Sequence, residues 1–175
     1  MKRLDDKVKT KVTHDKLYVN GELYKEPLVP PTASEMLNLT REERTEIEEG
    51  PALVHGEDIF LNGHTFTATA AEVHTVQQAR TAYRKLLLNP TCLGAAHNMA
   101  AYHLYNILTT KTTTGFHDDK EHGAGRFISE LLQQRNAKNV IVFVTRQFKT
   151  SSHLGAARFD AIGEAVDSCL SKLKH

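Results

Sequence analysis

The stretch Phe116-His117-Asp118-Asp119-Lys120-Glu121-His122-Gly123-Ala124-Gly125 is the densest polar cluster in this chain of 175 residues. Its two imidazoles and three carboxylates could be assembled into an oxygen-and-nitrogen metal site. Their spacing fits neither a helical His-x-x-x-His face nor a calcium loop. Carboxylates just ahead of a helix have a simpler task, because they accept its orphan N–H groups and favour the positive end of its dipole. Capping is the first reading of Asp118, Asp119 and Glu121, a basic partner the second and a metal the third. We expect no metal and no cofactor.

Four cations in the second half of the chain, Arg126, Arg146, Lys149 and Arg158, are the stronger candidates for binding. Cations beside helix N-termini suit phosphates or acidic side chains, and Phe148, close to Arg146, could stack a base. The alternative puts Phe148 in the core and pairs the arginines with Asp118, Asp119 and Glu121, leaving the patch partly self-neutralised. His97 sits in an apolar segment, where a histidine is usually a hydrogen-bonded core residue. No nearby Ser or Cys motif offers it a nucleophile to activate, and Cys92 lacks any sign of thiolate activation. Walker loop, dinucleotide fingerprint, nucleophile elbow and His-Glu-x-x-His are all missing from the sequence. An enzyme is not expected.

The length accommodates one domain comfortably, and 40% hydrophobic with 25% charged residues is ordinary for a soluble protein. No stretch approaches the ~20 apolar residues of a membrane span. The polar start MKRLDDKVKTKV has no apolar region of the kind a secretory signal needs. Cys92 and Cys169 read as reduced core residues. A cytoplasmic protein without a membrane partner is the expectation. Its net charge of +1 hides an uneven distribution. Residues 1–25 carry seven Lys/Arg against four Asp/Glu, residues 26–60 two against nine, and residues 61–175 thirteen against eight. The last block is mildly basic, which permits weak attraction to nucleic acid without requiring it.

The elements that must position these residues follow from local patterns. Asn20-Gly21 between Leu17–Val19 and Glu22–Tyr24 signals a hairpin. Pro27, Pro30 and Pro31 mark an extended linker, and Thr32/Glu35 and Thr40/Glu43 form capping boxes for two short helices. With little to build a core, residues 1–61 are expected to be an N-terminal extension of low order. From residue 62 the pattern becomes that of a folded domain. Phe66, Ala68 and Ala70 alternate with threonines as in a strand, and Val76, Ala79, Tyr83 and Leu86 share one helical face that Pro90 closes. Residues 93–108 fit either a helix or a strand, and a Thr-rich bend follows. A helix is expected over about Arg126 to Arg135, then a strand in the apolar run NVIVFVT, whose composition suits burial on both faces. Ile162, Ala165, Val166, Cys169, Leu170 and Leu173 make the amphipathic stripe of a last helix. Alternating strands and helices indicate a two-layer α/β sandwich.

Several landmarks occur in the order found in the IMPACT family. Ala96-His97-Asn98 with Tyr102 resembles its Thr-His-Asn strand, and Asp118, Asp119 and Glu121 resemble its acidic turn. Ala124-Gly125-Arg126, the run KNVIVFVTRQF, and Leu154-Gly155 with Arg158-Phe159 complete the match over residues 64–172. The departures are Lys120 in place of the turn glycine and Lys149-Thr150-Ser151-Ser152 in place of a Gly-Gly pair. Residues 1–61 are also too few for the amino-terminal module of the eukaryotic members.

The resemblance implies an α+β fold, a four-stranded mixed sheet with helices on one face, as in a ribosomal small-subunit protein and elongation-factor domain IV. It implies a domain over 62–175 and converging strand ends that would gather Arg126, Arg146, Phe148, Lys149 and Arg158 at a partner- or phosphate-binding edge. The implied role is non-enzymatic control of translation, restraining the amino-acid-starvation kinase pathway by binding its protein scaffold or the ribosome. The alternatives are an RNA-binding accessory, ribosome-associated or from a mobile element, and a degenerate copy without activity.

Overall fold

The computed structural model describes residues 23–148 and 154–173. Along the chain these form β1 (Leu23–Lys25), α1 (Ala33–Leu37), α2 (Arg41–Glu48), β2 (Val54–Leu61), β3 (His64–Glu72), α3 (Val76–Leu87) and α4 (Pro90–Leu93). Next come β4 (His97–Asn106), β5 (Lys111–His117), α5 (Ala124–Gln134), β6 (Val140–Phe148) and α6 (Ala157–Leu173). The strands make one sheet in the order β1-β5-β4-β6-β3-β2. Only β1 and β5 run parallel among these neighbours.

Alternation along the central strands sends side chains to two cores. Phe66, Ala68, Met99, Ala101, Val142 and Val144 face α5 and α6. Ala71, Ala100, Tyr102, Ile141 and Phe143 face α3 and α4. The molecule is therefore a mixed α+β fold of three layers. This corrects the expected four-stranded, two-layer sandwich with helices on one face. The run Val140–Val144 is apolar at every position because helices cover it from both sides, and that composition already signalled two cores.

The described part of the amino-terminal segment is integral to the fold, against the expectation of low order. It is poor in apolar residues, but Leu28, Met36 and Ile47 are all buried. Both capping boxes form, with Thr32 and Thr40 accepting N–H bonds from Glu35 and Glu43 while those carboxylates accept in return. Strand β2 pairs along β3 through the Asn62-Gly63 turn, whose φ values of 48° and 83° suit a two-residue hairpin. At Gly56 a Cβ would come within 2.8 Å of the Cys169 backbone nitrogen, so glycine lets β2 lie against α6. The expected hairpin at Asn20-Gly21 lies outside the described residues.

One open local reading is settled and one changes. Residues 93–108 resolve into the end of α4 and strand β4, and the Thr-rich bend is largely strand β5. Pro90 opens α4 at its first position, where its missing N–H costs nothing.

Candidate functional site

The acidic turn after β5 sits where β4 begins, β6 ends and α5 starts. Asp118 caps α5, as the sequence suggested. Its carboxylate accepts N–H bonds from Gly123 at 3.1 Å and Gly125 at 2.7 Å. The cap residue itself, Gly123, has no side chain to do this. At Gly125 a Cβ would stand 2.7 Å from the carbonyl carbon of His117, so the Ala-Gly pair lets the helix start against the strand. Asp119 fastens the turn to β4: its carboxylate accepts the Asn98 N–H at 2.6 Å, and its carbonyl lies 2.8 Å from His97 Nδ1.

Glu121 turns the other way, into the protein, and is only 6% exposed. One carboxylate oxygen takes the Nη1 of Arg146. The other lies 2.8 Å from the Nε of Arg158, an ion pair whose N–H is not aligned for a hydrogen bond. His97 Nε2 approaches at 3.6 Å. Arg146 also reaches Nδ1 of His64 through Nε and Nη2, at 3.3 and 3.2 Å. Its guanidinium lies 5.4 Å from the centre of the Phe66 ring and 5.7 Å from that of Phe148. Arg158 donates to the Gly155 carbonyl at 2.6 Å and rests over the Phe159 ring.

The expected cationic edge is thus assembled only in part. Arg146, Arg158 and Phe148 come together, and Glu121 neutralises the arginines from within. Phe148 is 42% exposed and packs at a tilt against His64, 5.1 Å between ring centres, so it is a rim residue rather than core. Arg126 does not join them. Its side chain, 74% exposed, pairs with Glu130 on its own helix. It lines a cavity of about 430 Å³ against Gly115 and Phe116. Lys149 lies outside the described residues.

Sequence reasoning missed His64, which buttresses Arg146. The signal was the Asn62-Gly63 pair just before it, the same turn dipeptide noted at Asn20-Gly21. His97 does prove to be hydrogen-bonded, and in addition it faces Glu121.

Through Asn98 the acidic turn connects to a buried network on the α3/α4 face. Its amide donates to the Cys92 carbonyl at 2.7 Å and accepts from Thr145 Oγ1 at 2.8 Å, while its own carbonyl accepts the Tyr83 hydroxyl at 3.1 Å. Burial pushes the Tyr83 phenol well above the usual tyrosine range and also raises the Cys92 thiol. These groups lock α4 to the sheet. Among the described residues, no group of three or more His, Cys, Asp or Glu is placed to hold a metal ion. In the acidic turn the reason is visible, since Asp118 points to the helix and Glu121 to the arginines.

Fold and cluster together define a three-layer α+β domain whose strand ends are clamped by internal ion pairs and rimmed by Phe148. Kinship follows from comparison. Residues 62–170 match the family described as the Impact N-terminal domain. Protein IMPACT of Oryctolagus cuniculus is 32% identical over 149 residues, 83% of this chain and 47% of that protein. Protein IMPACT-A of Xenopus tropicalis is 32% identical over 129 residues, 74% of this chain and 40% of that protein. The chain belongs to the IMPACT family, and it spans less than half the length of these relatives.

Among solved structures, the two-domain translational regulator Yih1 superposes with a TM-score of 0.53 at 26% identity, over 89% of this chain and 55% of that one. The crystal structure of a hypothetical protein shares the fold, with a TM-score of 0.58 at 20% identity over 70% of this chain and 59% of that one.

Proposed function

We propose that this protein is a non-enzymatic regulator of translation that acts by occupying a partner's surface. The observation that carries this reading is the likeness to Yih1, a translational regulator, across 89% of the chain. In its finer form, the protein works in the cytoplasm and restrains the amino-acid-starvation kinase pathway by binding the kinase's protein scaffold or the ribosome. The contact would centre on the rim formed by Phe148 and Arg158. There Phe148 packs against His64 and lies 5.7 Å from the Arg146 guanidinium, so a partner would meet a ring already supported from below. The RNA-binding alternative draws less support, because Arg146 is spent on Glu121 and His64.

The test is amino-acid deprivation of cells expressing the protein, with activation of the starvation kinase as the readout. Damped activation, relieved by Phe148→Ala together with Arg158→Ala, supports the reading. Unchanged activation by the wild-type protein overturns it. Co-sedimentation with ribosomes against capture by the purified scaffold then separates the two partners.

A further inference from the structure

The hairpin joining β4 to β5 ends in Asn106-Ile107-Leu108-Thr109-Thr110-Lys111, and its tip presents two adjacent aliphatic side chains to solvent. Ile107 is 79% exposed and Leu108 91%. Single exposed aliphatics are ordinary, but two neighbours on a protruding turn are placed to enter an apolar phase together. The tip is also pre-shaped. The Asn106 side-chain oxygen accepts the N–H groups of Leu108 at 2.9 Å and Thr109 at 3.2 Å, which holds the two residues outward.

What surrounds the tip identifies its partner. On the sheet face shared with Leu104, Lys111 lies over the Tyr24 ring at 4.3 Å. On the opposite face, Lys138 lies over the Tyr105 ring at 4.5 Å. Among the described residues neither lysine forms an ion pair with a carboxylate. Aliphatic residues at an apex, with a tyrosine and a lysine on each side, match the layering of a bilayer surface. Aliphatics enter the acyl region, tyrosine rings sit at headgroup level, and lysine stems reach anionic headgroups. A protein socket would need complementary walls around the apex, whereas both flanks here carry the same cation-and-ring pair, as a planar partner requires.

We propose that this hairpin tip is a peripheral docking site for a membrane surface bearing anionic lipids. The expectation of no membrane partner rested on the lack of a spanning segment. Among the described residues no helix is long and apolar enough to cross a membrane, and a peripheral contact does not need one.

The experiment is co-sedimentation of the full chain with vesicles of phosphatidylcholine mixed with phosphatidylserine, and with phosphatidylcholine alone. The wild-type protein should bind the mixed vesicles and leave the neutral ones. Ile107→Ser with Leu108→Ser should weaken binding by at least about tenfold, because the apolar insertion is lost. Lys111→Glu with Lys138→Glu should erase the preference for phosphatidylserine. All four positions are on the surface, so unchanged circular dichroism shows that the variants remain folded. Lack of binding by the wild-type protein overturns the proposal. So does binding that the Ile107/Leu108 variant keeps in full, since the lysines of residues 1–22 would then account for the attraction. Neither result bears on the translational role, which is read through kinase activation in cells.

Discussion

Arg158 holds its Nε 2.8 Å from Oε2 of Glu121, while the other oxygen of that buried carboxylate is taken by Arg146. One acidic side chain therefore joins the turn after β5 to the end of β6 and the start of α6. Removing one partner of a buried ion pair is expensive because the other charge stays buried and uncompensated. The side chains of Arg146 and Glu121 are 10% and 7% exposed, against 22% for Arg158, so solvent screens part of the effect at Arg158 alone.

Glu121→Ala should therefore destabilise the protein by roughly 2–4 kcal/mol. Arg158→Met should cost less, about 1 kcal/mol, because Glu121 keeps Arg146. Urea unfolding of the three proteins reads both values. Equal losses for the two variants would show that the arginines do not share one carboxylate.

Asp118 and Gly125 act on the same helix start by different means. Asp118→Ala removes the acceptor for the N–H groups of the cap residue Gly123 and of Gly125 in α5, and should cost about 1–2 kcal/mol. Asp118→Asn should keep much of that stability, since an amide oxygen still accepts. Gly125→Ala forces a methyl group into the His117 backbone, which overpacking costs of about 1–3 kcal/mol would reflect. Thermal melts distinguish a cap, rescued by Asn, from a steric contact that no larger residue relieves.

How much of this was legible depends on where each signal lives. The capping boxes, the apolar face of α3 and the stripe of α6 are local, and the chain carries them in residues three or four apart. Strand β4 stayed ambiguous because it is buried on both faces: the alternation of Asn98, Ala100 and Tyr102 permits a strand, while the propensity of its Ala-rich run favours helix. Strand β2 was hidden for the opposite reason. It is a charged edge strand with an irregular register between His55 and Asp58, and Lys172 meets Glu57 only across the fold. At the site, the charges were visible but their pairing was not. Glu121, Arg146 and Arg158 meet through sheet topology, and nothing in their spacing says that Arg126 faces another cavity.

His103 supplies a pH-dependent contribution. Burial holds its imidazole below the usual histidine value of 6.5, with Lys138 acting in the same direction and the bond to the Ala137 carbonyl opposing. A depressed folded value means that the unfolded chain binds the proton more readily. Stability is then fully present above about pH 6.5 and is lost as pH falls through the folded value. His103→Asn should flatten that slope. Urea midpoints at pH 7.5 and pH 5.5 for both proteins should show the larger drop in the wild type, and parallel drops would remove His103 as the source.

The two thiols give a chemical readout of the cores on either side of the sheet. Burial pushes Cys169 up to about 12, and it raises Cys92 against the opposing effect of the Thr145 hydroxyl. Reaction needs the thiolate and an open path, and both sulfurs are buried in the folded protein. At pH 8 an aromatic disulfide reagent should therefore label neither cysteine in the native state and both in urea. Under native conditions, labelling should be limited by the opening of each core. Cys92 belongs to the four-residue helix α4 and is 9% exposed, whereas Cys169 is wholly buried on the packed face of the 17-residue α6, so Cys92 should be labelled first. Equal rates at both sites would mean that the two cores open together, and prompt labelling of Cys169 would contradict its burial beneath β2.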